Sequence, residues 1–133
     1  MSWGGVKQQS IKVDIEAWCE EMEIENYIVN SQGEIDVEGD AWLNGRDFKE
    51  LPYKFGKVNG YFSLAHNKNL TSLKNCPNEV SGSFDIDGCS QLSSLEGCPK
   101  KVGGYFWCRK CKIKFTKKEV LSLCKASNGI NTT

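Results

Sequence analysis

Seven cysteines are the residues of this 133-residue chain whose type and spacing could hold a metal ion. Cys108 and Cys111 have the Cys-x-x-Cys spacing of a zinc-binding pair, and Cys98 and Cys124 could complete a tetrahedral thiolate site. The alternative is that the cysteines are small, buried apolar residues, because Cys76 and Cys98 lie 22 residues apart before a proline in similar phrases. We favour this alternative and expect no metal and no cofactor.

The only histidine, His66, could activate one of these thiols as a nucleophile. The sequence offers no third group to orient such a pair, so we expect no enzyme activity. An odd number of cysteines without a secretory signal also favours reduced thiols over a disulfide framework. We find no run of eighteen apolar residues, which predicts no membrane span and a cytoplasmic location.

An internal repeat of 22 residues must position these side chains. The phrases "VNGYFSL" (58–64), "VSGSFDI" (80–86) and "VGGYFWC" (102–108) align letter by letter, and "VEGDAWL" (37–43) carries Ala41 in the phenylalanine position. Apolar residues alternate in each phrase, which predicts a short strand with one face toward the core. The glycines at 60, 82 and 104 would then supply either space or an unusual backbone dihedral.

The residues between these apolar positions should point away from the core. Two tyrosines and two tryptophans among eight such positions are costly to leave in water, and both residue types dominate interaction hot spots. We interpret the eight as a partner-binding face, the alternative being that the rings only cover thin parts of the core. They are Asp40, Trp42, Tyr61, Ser63, Ser83, Asp85, Tyr105 and Trp107.

The repeats, residues 37–115, need caps at both ends if the whole chain, 1–133, is one domain. Residues 10–36 are the expected N-terminal cap, because Ile11, Ile15, Trp18, Cys19 and Met22 have helical spacing and a hairpin is expected around Gln32-Gly33. Thr116 and Glu119 form a capping box that opens a C-terminal helix within 116–126. Residues 127–133 are expected to form a flexible tail.

The net charge of zero conceals two oppositely charged halves. Residues 1–50 contain 12 acidic and 4 basic residues, whereas residues 51–133 contain 5 acidic and 13 basic ones. Such asymmetry predicts a dipolar molecule, either with two solvated faces or with a surface that orients toward a charged partner. Residues 100–118 hold eight of the basic residues beside Tyr105, Phe106 and Trp107. Contact of this basic C-terminal third with nucleic acid is therefore the alternative to protein binding.

The phrase "FSLAHNKNLTSL" resembles the leucine-rich repeat, with Asn67 in the place of that family's ladder asparagine. The runs "LTSLKNCPNEVSGSF" and "LSSLEGCPKKVGGYF" are most similar to the small leucine-rich-repeat proteins of tailed bacteriophages. The resemblance implies an α/β repeat solenoid of about four repeats of 21–22 residues, with one short parallel sheet. It also implies a non-catalytic phage protein that binds a host protein in the host cytoplasm and inhibits or redirects it, although fold alone does not give function.

Overall fold

A computed structural model describes residues 5–133, with side-chain surroundings from residue 10 onward. The chain begins with helix α1 (Gly5–Glu21), followed by an antiparallel hairpin of β1 (Tyr27–Val29) and β2 (Ile35–Val37). Ile15 and Cys19 on α1, and Met22 directly after it, are buried in the core, as their spacing predicts. Ile11 departs from that pattern because it is 43% exposed.

After the hairpin, the chain winds into a β-solenoid of about four turns. Each turn contributes one strand to each of two sheets, and among the strands of residues 5–133 the pair β1–β2 is antiparallel whereas all other pairs are parallel. The first sheet has the order β1-β2-β4-β6-β8-β10, and the second has the order β11-β9-β7-β5-β3. The remaining elements are β3 (Ala41–Trp42), β4 (Phe55–Val58), β5 (Phe62–Ser63), β6 (Glu79–Val80), β7 (Phe84–Asp85), β8 (Lys101–Val102), β9 (Tyr105–Trp107), α2 (Lys117–Leu123), β10 (Lys125–Ala126) and β11 (Gly129–Asn131).

The repeated phrase forms two strands separated by a corner, where we expected one strand and one sheet. The corner is a bend at the repeated glycine. The amide of Gly82 donates to the Gly60 carbonyl at 2.9 Å, and the amide of Gly104 donates to the Gly82 carbonyl at 2.8 Å. A Cβ on Gly82 would lie 2.7 Å from the Gly60 oxygen, so glycine supplies space at this corner. The turns of the solenoid can therefore stack closely.

The phenylalanines of the repeat form the centre of the core. Phe62, Phe84 and Phe106 are fully buried and lie in register on β5, β7 and β9. Their ring centroids are 6.1 and 5.1 Å apart along the series, and Phe55 extends it with a centroid 5.0 Å from that of Phe62. The aromatic stack thus joins successive turns through direct contact.

The segments that return the chain from the second sheet to the first consist of turns in residues 64–78 and 86–100. A ladder of polar side chains supports them. Asn67 Nδ2 lies 2.8 Å from the carbonyl oxygens of both Leu43 and Leu64. One repeat later, Cys89 Sγ lies 3.2 Å from the Leu64 carbonyl oxygen. After a further repeat, Cys111 Sγ lies 3.4 Å from the Ile86 carbonyl oxygen. Cysteine therefore replaces asparagine as the donor in this ladder.

The C-terminal helix α2 begins with the predicted capping box. The amide of Glu119 donates to Thr116 Oγ1 at 3.1 Å, and the amide of Thr116 donates to Glu119 Oε1 at 2.9 Å. Val120 and Cys124 are buried, as expected for residues that cover the core. Leu123 is 49% exposed, although its position suggested a core contact.

Residues 127–133 contain a strand, where we expected a flexible tail. Strand β11 pairs in parallel with β9 and places Ile130 beside Phe106. The amide of Cys108 donates to the Asn131 carbonyl at 2.9 Å. This segment continues both the backbone ladder and the inner apolar series of the second sheet, and these contacts account for its order.

Candidate functional site

The eight residues predicted to point outward lie along one side of the second sheet. Trp42, Ser63, Asp85 and Trp107 occupy adjacent positions on β3, β5, β7 and β9. Asp40, Tyr61, Ser83 and Tyr105 stand two positions earlier, at the corner or at the start of a strand. We call these eight residues the outer face.

Four aromatic side chains form two pairs on the outer face. The ring centroids of Trp42 and Tyr61 are 5.2 Å apart, and those of Tyr105 and Trp107 are 5.5 Å apart. Trp42 is 53% exposed and Tyr105 is 42% exposed, while the other two rings are half-buried. Ring contact within each pair restricts the side chains before any partner binds, which lowers the entropy lost on binding.

Arg109 and Asp87 hold the second aromatic pair from one side. The guanidinium carbon of Arg109 lies 4.8 Å from the centroid of the Trp107 ring, within cation–π distance. Asp87 Oδ2 accepts from Arg109 Nη2 at 2.7 Å and from Nε at 3.0 Å. Sequence reasoning missed this pair, although the 22-residue separation of Asp87 and Arg109 was a usable signal.

Two members of the outer face are buried, although we expected all eight to be exposed. Ser63 is 0% exposed and Ser83 is 4% exposed. Ser63 Oγ accepts from the amide of Ala65 at 3.2 Å, and Ser83 Oγ accepts from the amide of Tyr105 at 2.9 Å. Their hydroxyl oxygens thus satisfy backbone donors. Both serines therefore have a structural role.

The two predicted aspartates also make backbone contacts. Asp40 is exposed, and its Oδ1 accepts from the amide of Tyr61 at 2.8 Å. Asp85 is half-buried on β7, between the two aromatic pairs, and its Oδ1 accepts from the amide of Asp87 at 2.9 Å. Desolvation raises the pKa of Asp85, and the hydrogen bond from the Asp87 amide partly opposes that effect. The outer face thus carries a carboxyl group at its centre.

The cysteines of the candidate zinc site do not form a metal-binding cluster in the structure. Within residues covered by the structural description, no three His, Cys, Asp or Glu side chains come close enough to hold a metal ion. All seven cysteines are free thiols. Burial raises the pKa of Cys98 and Cys111 to about 11 and that of Cys108 and Cys124 to about 12. Such thiols are almost fully protonated near neutral pH and are poor nucleophiles.

The basic C-terminal third divides between the outer face and the end of the solenoid. Arg109 belongs beside the outer face, whereas the nearby Phe106 is a buried core residue. Lys101 pairs with Glu79 across adjacent strands at 3.8 Å. The other lysines of the segment are exposed, and they are Lys100, Lys110, Lys112, Lys114, Lys117 and Lys118.

Neither a search for membrane-spanning helices nor comparison with known proteins assigns a function to the outer face. No helix among residues 5–133 combines the length and apolar character needed to cross a bilayer. Searches against family models, curated proteins and solved structures found no match to this chain.

Proposed function

We propose that this chain is a non-catalytic protein-binding module and that the outer face holds its partner. The observation that carries the proposal is the pair of aromatic contacts, Trp42 with Tyr61 and Tyr105 with Trp107, on one side of one sheet. Trp, Tyr and Arg are the residue types most enriched at interaction hot spots. A half-buried carboxyl group and a stacked arginine add polar specificity to that apolar surface.

The dimensions of the outer face suit a protein surface. Strands β3 and β9 are three strand positions apart in the second sheet, which corresponds to about 14 Å at normal strand spacing. The aromatic pairs therefore contact separate points on a partner. Asp85 lies between them, on β7, and favours a partner with a donor or a positive charge opposite it.

We further propose that the module is of the leucine-rich-repeat kind and that a bacteriophage encodes it to modulate a host protein. Asn67 and the cysteines that follow it at the same repeat position support the first part, because they donate to carbonyl groups of neighbouring turns. The second part follows only from the sequence resemblance to phage proteins. It places the partner in the host cytoplasm.

Affinity capture followed by titration tests the proposal. Tagged wild-type protein and a Trp42→Ala/Trp107→Ala variant are incubated with nuclease-treated bacterial lysate, and proteins lost with the variant are purified and titrated. We expect Trp107→Ala alone to weaken binding by at least about 2 kcal/mol, or roughly thirtyfold, with an almost unchanged melting temperature. Lys68→Ala is the control, because Lys68 is exposed in the return segment 64–78 and lies outside the outer face.

Nucleic-acid binding through the basic C-terminal third gives the opposite result. Lys117→Glu/Lys118→Glu would then weaken binding more than Trp107→Ala, and affinity would fall steeply with salt as counterions are released. Material captured from an untreated lysate would also be lost when the lysate is treated with nuclease. A purified protein partner that binds Trp107→Ala normally would eliminate the outer face as its site.

A further inference from the structure

The exposed hydrophobic side chains of the described chain divide into three groups. Trp42 and Tyr105 belong to the outer face. The other six are between 43% and 63% exposed, and Leu123 among them lines a groove with Lys54 and Lys74 that spans several turns. Ile11, Val13 and Ile28 lie on α1 and β1, whereas Ile113, Leu121 and Leu123 lie on or just before α2. Each end therefore presents apolar area to solvent.

The two ends also carry opposite charges. Residues 13–25 contain six acidic side chains and no basic one, while residues 110–125 contain six lysines and one glutamate. The ion pairs found among residues 10–133 are Lys101 with Glu79 and Arg109 with Asp87, and neither pair involves a charge of these two sets. The acidic end and the basic end are electrostatically complementary.

The backbone at both ends is available for further pairing. Strand β1 ends the first sheet on one side and β10 ends it on the other, while β11 ends the second sheet. Within residues 5–133, no strand pairs with the outer sides of β10 and β11. Ala126 and Ile130 on these strands are only partly buried. An edge with unpaired N–H and C=O groups and an incompletely covered core favours addition of another strand.

The N-terminal end contains a depression suited to apolar side chains. A cavity of about 430 Å³ lies between α1 and the β1–β2 hairpin. Ile11, Ile15 and Val29 contribute its apolar wall, and Lys12 and residues 30–33 of the hairpin loop complete it. The cavity is large enough to accept a leucine side chain projecting from another molecule.

We propose that the N-terminal end of the solenoid binds the C-terminal end of a second copy of the chain, in a head-to-tail arrangement. The acidic N-terminal end of one copy covers the basic C-terminal end of the next, and Leu121 meets the apolar side chains of the α1 that faces it. Strand β10 then lies antiparallel to β1 of the next copy, because β1 alone runs against the other strands of the first sheet.

A twofold arrangement is disfavoured by the same charges. Tail-to-tail contact would bring two sets of six lysines together, and head-to-head contact would bring two acidic helices together, so both have like charges across the interface. A head-to-tail contact leaves one unused end on each terminal copy. The assembly is therefore a linear series whose length grows with protein concentration.

Paired charge reversals test this arrangement by sedimentation velocity. One variant, Asp14→Lys/Glu21→Lys, reverses exposed acids on α1, and the other, Lys117→Glu/Lys118→Glu, reverses exposed lysines on α2. We expect the wild-type mass average to rise above the 14.9 kDa monomer with concentration and to fall back in about 1 M salt, where the Debye length is about 3 Å. Each variant alone should associate at least about tenfold more weakly.

An equimolar mixture of the two variants is the decisive sample. Because each reversed end is complementary to the reversed end of the other variant, the mixture should regain the mass that both variants lose separately. Lys68→Glu/Lys74→Glu, in the return segment 64–78, is the matched control and should associate like wild type; circular dichroism verifies that all variants are folded. The proposal is overturned by a wild-type protein that stays monomeric, by sensitivity at the lysine end alone, or by a mixture that stays monomeric.

Discussion

The inner and outer sides of the second sheet share one backbone register but have very different sequences. On the inner side, the central three turns present Phe62, Phe84 and Phe106, all fully buried. On the outer side, the corresponding neighbours are Ser63, Asp85 and Trp107. Close packing of the core restricts the inner positions to one residue type, whereas the outer positions vary while the ladder stays intact. The contrast separates the requirements of folding from those of binding.

The largest expected effect is on the inner side. Phe84→Ala should lower the free energy of unfolding by about 3–5 kcal/mol, because the ring contacts both Phe62 and Phe106 and its removal leaves a cavity between turns. Trp42→Ala, on the exposed outer side, should change it by no more than about 0.5 kcal/mol. Urea denaturation measures both values. A loss below about 1 kcal/mol for Phe84→Ala would show that the inner and outer sides are assigned incorrectly.

The polar ladder gives the next largest effect. Asn67→Ala should destabilise the protein by about 1–3 kcal/mol, since the Leu43 carbonyl loses its side-chain donor and the Leu64 carbonyl loses one of two. Asn67→Cys should lose less, because cysteine already occupies the equivalent position as Cys89 and Cys111. Equal losses in the two denaturation curves would mean that the thiol donors contribute nothing.

Ser83 tests whether an outer position can be structural. Ser83→Ala should destabilise the protein by about 1 kcal/mol, because the hydroxyl oxygen accepts from the amide of Tyr105 and both groups lie near the buried corner. Ser83→Thr keeps the acceptor and serves as the matched variant in the same denaturation experiment. An alanine variant as stable as wild type would contradict a structural role for the Ser83 hydroxyl.

The smallest expected effect has the opposite sign. The raised pKa of Asp85 means that the folded protein binds this proton more tightly than the unfolded chain, so stability falls as pH rises through the raised pKa. Asp85→Asn should therefore increase stability near neutral pH by at most about 0.5 kcal/mol, and the difference should vanish below the ordinary aspartate pKa. Thermal unfolding at both pH values measures it. A less stable asparagine variant at neutral pH would contradict this sign.

The sequence predicted the repeat and its inner residues because packing imposes a strict period. It did not predict the two sheets, because alternation of Val58, Gly60 and Phe62 is the same in one straight strand and in two strands joined at a corner. What distinguishes the corner is that a Cβ at Gly82 would lie too close to the Gly60 carbonyl oxygen. That contact exists only after the turns have stacked.

The sequence predicted on which side of the sheet the outer-face side chains lie, but not how much of each is exposed. Alternation placed Ser63 and Trp42 on the same side, yet Ser63 is fully buried and Trp42 is exposed, because alternation gives the direction of a side chain and not what surrounds it. The contribution of Arg109 was missed because it depends on the Asp87 carboxylate and the Trp107 ring together. The final strand was missed because "NGINTT" lacks the repeated phrase, and only its pairing with β9 orders it.

The stacking of each turn on the next also determines how the chain can fold. Most strand partners, such as Phe62 with Phe84, are 22 residues apart, roughly one sixth of the 133-residue chain. No late closure of a long loop is needed, so folding can begin in any two adjacent turns and spread to both ends. Lengthening the solenoid by another turn would add contacts without increasing the sequence separation between them. Folding of this parallel β-structure is therefore expected at the rate of a mixed α/β domain, faster than that of a β-sandwich.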